Sequence, residues 1–298
     1  MEEQKESGFI AKIKGIYSKN IYKLAIGPTI LVIASLIILV NFYMANGDIM
    51  EKDVSLKGGI TATVNTEQAM NIIGLQKKLA DKFGDASVRK ITEFGSDRQI
   101  GIITEVATED EASLKELLSQ EMGMKLTEQN YSLEVMGSSL GSAFYKQMIT
   151  AMIAAFLLMA IVIFFVFRTF VPSMAMVLAA LFDILVTIAI VDLLHIRVST
   201  TGISAFLLLI GYSIDTDALL TTRVIKRTGG TAMDRAFKSI GTGLTMTLTA
   251  LVAVLSGLVV SQSPVIKEMF IIIAIGLCVD VVMTYGMNAP MLLWYVKR

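Results

Sequence analysis

Apolar runs long enough to cross a lipid bilayer alternate, along this chain, with one long polar stretch. A spanning helix needs roughly 20 apolar residues. Runs of that kind fall at 24–44, 147–167, 171–191, 198–222, 239–261 and 269–295, which predicts six spans. Between the first two, the periodicity changes repeatedly. "VSLKGGITATVN" is β-rich and interrupted by Gly58 and Gly59, a sign of a bulge or a close backbone approach. "TEQAMNIIGLQKKLADKF" opens with Thr66, a candidate N-cap, and spaces Met70, Ile73, Leu75 and Leu79 along a helix. "ASVRKITEFG" and "RQIGIITEVA" flank "GSD" and predict a hairpin. "TEDEASLKELLSQEM" predicts a second helix with Thr108 as its cap and acids in its first turn, and "NYSLEVMG" a closing strand. The order β-α-β-β-α-β is the ferredoxin-like split βαβ arrangement.

Composition agrees with a membrane protein. The chain has 298 residues, 54% of them hydrophobic and only 17% charged, against about a quarter charged in a soluble domain. Residues 48–146 nevertheless hold 16 acidic and 11 basic side chains, so this insert is the water-soluble part. Net charge is zero and gives no sign of a nucleic-acid partner. The distribution of bases sets the orientation. With the N-terminus in the cytoplasm, inner segments carry the leader lysines, Arg168, the run from Arg223 to Lys238, Lys297 and Arg298, whereas the short outer loops carry only Arg197 and Lys267. The positive-inside bias therefore puts both termini in the cytoplasm and the insert outside. The expected fold class is a membrane all-α six-helix bundle with an inserted extracellular α+β ferredoxin-like domain. Its parts are a basic cytoplasmic leader at 1–23, a first span at 24–44, the outer domain at 45–146, and five further spans at 147–298 with a basic loop around 223–238. The leader spaces Phe9, Ile13, Ile16 and Tyr17 on one helical side and reads equally as an interfacial helix on lipid or a solvated tail.

Chemistry is concentrated inside the membrane. Asp183 lies in the third span, Asp215 and Asp217 in the fourth, and Asp280 in the sixth. An Asp at a helix centre costs about 2.5–3.5 kcal/mol on insertion scales, so it persists when paired, protonated or facing a polar cavity. Asp215 and Asp217 stand about 200° apart around a helix, so they cannot face one partner. Gly211, Asp215 and Thr222 share one side, and Ser213, Asp217 and Thr221 the other. Arg223 at the inner boundary reads as an anchor to headgroups or as a group turned back toward a carboxylate. Gly241, Gly243 and the threonines near them read as close helix packing. Asp192 and the single histidine, His195, are expected in water, and the single cysteine, Cys278, packed among Gly, Leu and Val. One cysteine excludes a disulfide framework or a zinc site, and no cofactor is implied. No nucleophile–base pair or metal spacing marks the outer domain, which reads as a binding or mechanical module.

Several segments together resemble archaeal members of the SecF family of protein-export membrane subunits, within the resistance–nodulation–division superfamily. "SLKGG", with Gly58 and Gly59, is similar to the family's Gly-Gly signature beyond the first span. "VMGSSLGSAFYKQ", with Gly137 and Gly141, is similar to the stretch leading into the second span, with Ser138 where Pro is usual. "FRTFVPS", Phe182-Asp183 and "GYSIDTD…TTR", with Gly211 and Arg223, complete the match. An Arg that bacterial relatives place at the start of the fifth span is missing here. The resemblance implies an accessory subunit, not an enzyme, that assists late translocation and release of polypeptide and draws on proton motive force. It implies a SecD-like subunit, the Sec translocation channel and the translocating polypeptide as partners, in contact with membrane lipid. By alignment, Asp215 is the first candidate for the proton-responsive acid and Asp217 the second, with Asp183, Asp280 and Arg223 beside them. The alternatives are a small-molecule transporter subunit of the same superfamily and an intramembrane aspartyl protease. Protease activity is disfavoured because "LIGYSIDTD" lacks a Gly-x-Gly-Asp segment.

Overall fold

The protein is described here by a computed structural model. It covers residue 15, residues 19–20 and 23–93, residue 96, and residues 98–261 and 263–297. The amphipathic leader around Phe9 to Tyr17 lies outside the described residues.

Helix α1 (Ile26–Asn46) leads to a four-residue turn of helix, α2 (Val54–Lys57). The polar insert then runs β1 (Gly59–Asn65), α3 (Ile72–Phe83), β2 (Ala86–Thr92), β3 (Gln99–Val106), α4 (Glu111–Met122) and β4 (Tyr131–Met136). Its four strands lie in the order β2-β3-β1-β4, each pair antiparallel, with Ala62 opposite both Thr104 and Leu133. Alternation along β1 buries Ile60, Ala62 and Val64 against Leu75, Leu79, Leu114 and Leu118 of the two helices, which closes the domain's own core.

Two helix starts differ from the sequence expectation. Helix α3 begins at Asn71, whose side chain accepts from the Gly74 amide, and not at Thr66. Thr66 instead accepts from the Gln68 amide in a local turn, and Ile73 faces solvent. Helix α4 is capped by Asp110, with Thr108 making a turn just before it. Ser, Thr and Asp compete for caps by the same chemistry, so position along the run does not choose between them.

The remaining chain is helical: α5 (Ser138–Phe167), α6 (Phe170–Leu193), α7 (Thr200–Thr221), α8 (Ala232–Val260), α9 (Pro264–Met283) and α10 (Ala289–Lys297). Two five-residue π turns interrupt them, Thr222–Lys226 after α7 and Thr284–Asn288 between α9 and α10. Among the described residues, five helices, α1, α5, α6, α7 with its π turn, and α8, are long and apolar enough to cross a membrane. The sixth expected span is divided between α9 and α10, and α9 carries Lys267, Glu268 and Asp280. Helix α6 is the most enclosed of the five, with 67% of its most apolar stretch buried, against 11% for α5 and α8.

Two single-residue expectations are corrected. Asp192 is buried, accepting the Glu51 amide at 3.3 Å, because the chain after α1 folds back over the end of α6. Cys278 is exposed on α9 instead of packed. Helix α9 is apolar nearly all round, and such a helix does not announce which side meets its neighbours. His195 is exposed as expected, in a positive-φ turn.

Candidate functional site

Helices α6, α7 and α9 pack against one another, and their polar positions meet where they do. On α7 the residues Ser213, Thr216, Asp217 and Thr221 fall on one face by helical spacing, and all four are buried. On α9 the positions Asp280, Thr284 and Asn288 follow at intervals of four, the last two carried by the π turn. From α6 comes Asp183 alone. Asp183, Asp217 and Asp280 are 3%, 0% and 2% exposed. Three carboxylates from three helices thus share one closed interior.

Hydrogen bonds knit them together. The Ser213 hydroxyl donates to Asp183 Oδ2. Thr216 Oγ1 lies 3.1 Å from each carboxylate oxygen of Asp280. Thr284 Oγ1 lies 2.9 Å from Asp217 Oδ1 and 3.2 Å from Asp280 Oδ1, and so bridges the two acids. Asn288 Nδ2 donates to Asp217 Oδ1 at 2.7 Å. These donors are hydroxyls and an amide, and no Lys, Arg or His takes part among the described residues. Asp183 Oδ1 and Asp217 Oδ2 have no hydrogen-bond partner there. The π turn matters locally: it widens the helix by one residue per turn and carries both Thr284 and Asn288.

The structure separates the two fourth-span acids. Asp217 joins the cluster, whereas Asp215 lies on the exposed side of α7 with Ser204, Leu208 and Gly211. The order of candidates drawn from alignment is thereby reversed with respect to contact with Asp183 and Asp280. Arg223 pairs with no carboxylate among the described residues. Its Nη1 donates to the Lys238 carbonyl and the Thr242 hydroxyl, both at 2.9 Å, and ties the end of α7 to α8. Ser213 was placed on the side of Asp217 by helical spacing, whereas Thr284 and Asn288 were not singled out by sequence reasoning. The four-residue spacing from Asp280 was a signal for the last two.

Most of the motif glycines sit elsewhere, at the joint between the insert and the helices. Gly58 (φ 89°) and Gly59 (φ 136°) take backbone conformations that side chains rarely adopt. A Cβ on Gly58 would strike the backbone of Ser138, and one on Gly141 would come within 2.8 Å of the Gly58 amide nitrogen. The close backbone approach expected at Gly58-Gly59 is therefore an approach to the start of α5. Gly137 precedes α5 in an extended conformation, and Gly211 faces open space.

Around this joint the chain forms polar ties. Val198 exchanges backbone hydrogen bonds with Glu51 and Asp53 at 2.7 and 3.0 Å. Arg197 pairs with Glu51 of the connector and Asp85 of the insert, and Lys57 reaches Asp85 at 2.9 Å. Burial pushes the Asp85 carboxyl upward, but the Lys57 and Arg197 contacts outweigh it and hold it below the usual carboxylate range. At Asp53 burial prevails over the hydrogen bonds from Ser55, and its carboxyl is raised.

Comparison with known proteins adds the lineage. Residues 116–298 match the family model described as protein export membrane protein SecD/SecF, C-terminal. A relative from Methanolacinia petrolearia, named protein-export membrane protein SecF, is 35% identical over 275 residues, covering 91% of this chain and 92% of its own. The chain belongs to the SecF family of protein-export membrane proteins. Further SecF proteins, from Pyrococcus furiosus and Methanocaldococcus jannaschii, are each 32% identical, over 96% and 93% of this chain and 95% and 96% of their own. The solved structure of SecDF, a translocon-associated membrane protein from Thermus thermophilus, shares the fold with a TM-score of 0.73 at 18% identity. It is covered for 38% of its length by 95% of this chain. SecDF in its super-membrane-facing form gives 0.59, again with 38% of that chain covered. This SecF-family chain thus spans well under half of the SecDF polypeptides whose fold it shares.

Proposed function

We propose that this chain is the accessory SecF-type subunit of a Sec protein-export machinery, assisting late polypeptide translocation and release without covalent chemistry. Its α9 and α10 together form a sixth span, both termini are cytoplasmic, and the insert is an extracellular ferredoxin-like domain. The sheet order and the two crossover helices support that domain reading, and the distribution of bases supports the orientation. Likeness to SecF relatives over nearly the whole chain supports the export role.

Coupling to proton motive force rests on one observation: Asp183, Asp217 and Asp280 share a buried network that contains no cation among the described residues. Taking up or releasing one proton changes the charge inside three packed helices by a whole unit. It also turns a carboxylate oxygen from acceptor to donor, so Ser213, Thr216 and Thr284 must rearrange their hydroxyls. Helix packing and protonation are linked in this way, and the insert, tied to the spans through Arg197, follows the helices. The polypeptide passing the Sec channel is the load.

A SecD-like subunit covers the other face of α7. Asp215 lies near the midpoint of the span Thr200–Lys226, on its exposed side, beside an open Gly211. A carboxylate in that place is costly against lipid and is accommodated by a second polar bundle. Co-purification tests this. Asp215→Leu is expected to release a co-expressed SecD-like partner while leaving the melting temperature of the isolated chain unchanged. Equal recovery of partner with wild type and variant removes α7 from the interface.

A further inference from the structure

At the end of the bundle away from the sheet, the loop after α7 and the start of α8 enclose a concave pocket of about 330 Å³. We infer that this pocket binds a phosphate group of the kind that an anionic phospholipid headgroup presents. Four cations line it, Arg223, Arg227, Arg235 and Lys238, against one carboxylate, Asp234.

Bases at the inner end of a span are ordinary. Fixed ones gathered round a cavity are less so. Arg223 is held by the Lys238 carbonyl and the Thr242 hydroxyl. Arg235 donates to the carbonyls of Gly230 and Val224 at 3.0 and 2.9 Å. These bonds use the Nη1 group of Arg223 and both terminal nitrogens of Arg235 and neutralise no charge. The Nε of each arginine has no hydrogen-bond partner among the described residues.

Arg227 itself makes no hydrogen bond or ion pair among the described residues. Nor do the backbone N–H groups of Thr228, Gly229 and Gly230 donate to anything there, where both glycines hold positive φ. Asp234 accepts from the amide and hydroxyl of Thr231 in a capping box, and its single charge leaves the four cations in excess. Guanidinium forks combined with free backbone amides match a tetrahedral oxyanion, which offers more acceptor oxygens than a carboxylate. The pocket adjoins Lys226, the last residue of the span, so it lies at headgroup depth.

The test uses the full-length chain in detergent, with native mass spectrometry to count bound ligand. Dioctanoyl phosphatidylglycerol, dioctanoyl phosphatidylcholine and inorganic phosphate are the probes. Saturable binding of phosphatidylglycerol in preference to phosphatidylcholine is expected. The double variant Arg227→Gln/Lys238→Gln should weaken it by about tenfold or more, since it removes two charge-assisted contacts. Neither side chain holds the fold together, so melting should be unchanged. Lys19→Gln/Lys23→Gln removes equal charge elsewhere on the same membrane face and is expected to leave binding intact. Inorganic phosphate that binds where the lipid does not identifies a soluble source of the same group; lipid binding that phosphate cannot displace assigns the headgroup. Equal loss in both double variants, or no saturable binding of any probe, overturns the site.

Discussion

Replacing Asp217 by Asn separates the proton from the packing. The Asn carbonyl occupies the place of Oδ1 and still accepts from Thr284 and Asn288, now at 2.9 and 2.7 Å. The amide replaces Oδ2, the oxygen that has no partner among the described residues. The new N–H groups meet no acceptor among the described residues, so the variant should lose about 1–3 kcal/mol. The variant is a permanent imitation of the protonated acid. Asp217→Ala differs: it strands the Asn288 amide, at about 1–3 kcal/mol, while Thr284 keeps Asp280. The assay is secretion of a pulse-labelled reporter from cells whose sole copy is the variant, with and without a protonophore. The Asn variant is expected to export slowly and to lose most of its protonophore sensitivity, with a modest fall in melting temperature. The Ala variant should show the same export defect with a comparable loss of stability. Wild-type export by Asp217→Asn, with wild-type protonophore sensitivity, would refute the assignment of the cluster to proton coupling.

Gly58→Ala should destabilise the joint, by about 1–3 kcal/mol for the backbone conformation and by a similar amount for the collision with Ser138; hydrogen exchange at β1 and the first turns of α5 would show it. The Asp85 ties should weaken in acid. Its carboxyl is depressed in the folded protein, so the stabilisation is complete above roughly pH 4 and is lost as pH falls through the lower folded value. Limited proteolysis of the 46–58 connector at decreasing pH measures this, and Arg197→Met should move the onset upward. Thr231→Ala removes the capping box of α8 and should cost about 1 kcal/mol, read as faster amide exchange confined to the first turn of that helix.

The insert was largely legible in the sequence because its strands alternate and its helices are bounded by turn residues. The cap positions were not, since Thr66, Asn71, Thr108 and Asp110 offer the same side-chain oxygen. Within the spans, the acids stood out against apolar surroundings, and helical spacing put Asp215 and Asp217 on opposite sides. Which side faces inward depends on neighbours that are far away in sequence. Lipid and protein interior are equally apolar, so hydropathy carries no sign of the difference; Cys278 was misplaced for the same reason. Asn288 could have been found from its interval to Asp280, but it lies beyond a π turn, where regular helical counting fails. The last expected run, 269–295, is divided by the π turn Thr284–Asn288, which a count of apolar residues does not signal.

The glycine contact at Gly58 and Gly141 leaves no slack where the insert meets the long helix α5. Two backbones touching without intervening side chains behave like a splined shaft: rotation of one is delivered to the other, because nothing compressible lies between them. A tug on the β-sheet is thus transmitted as torque to the long second span, and a shift of that span re-aims the sheet.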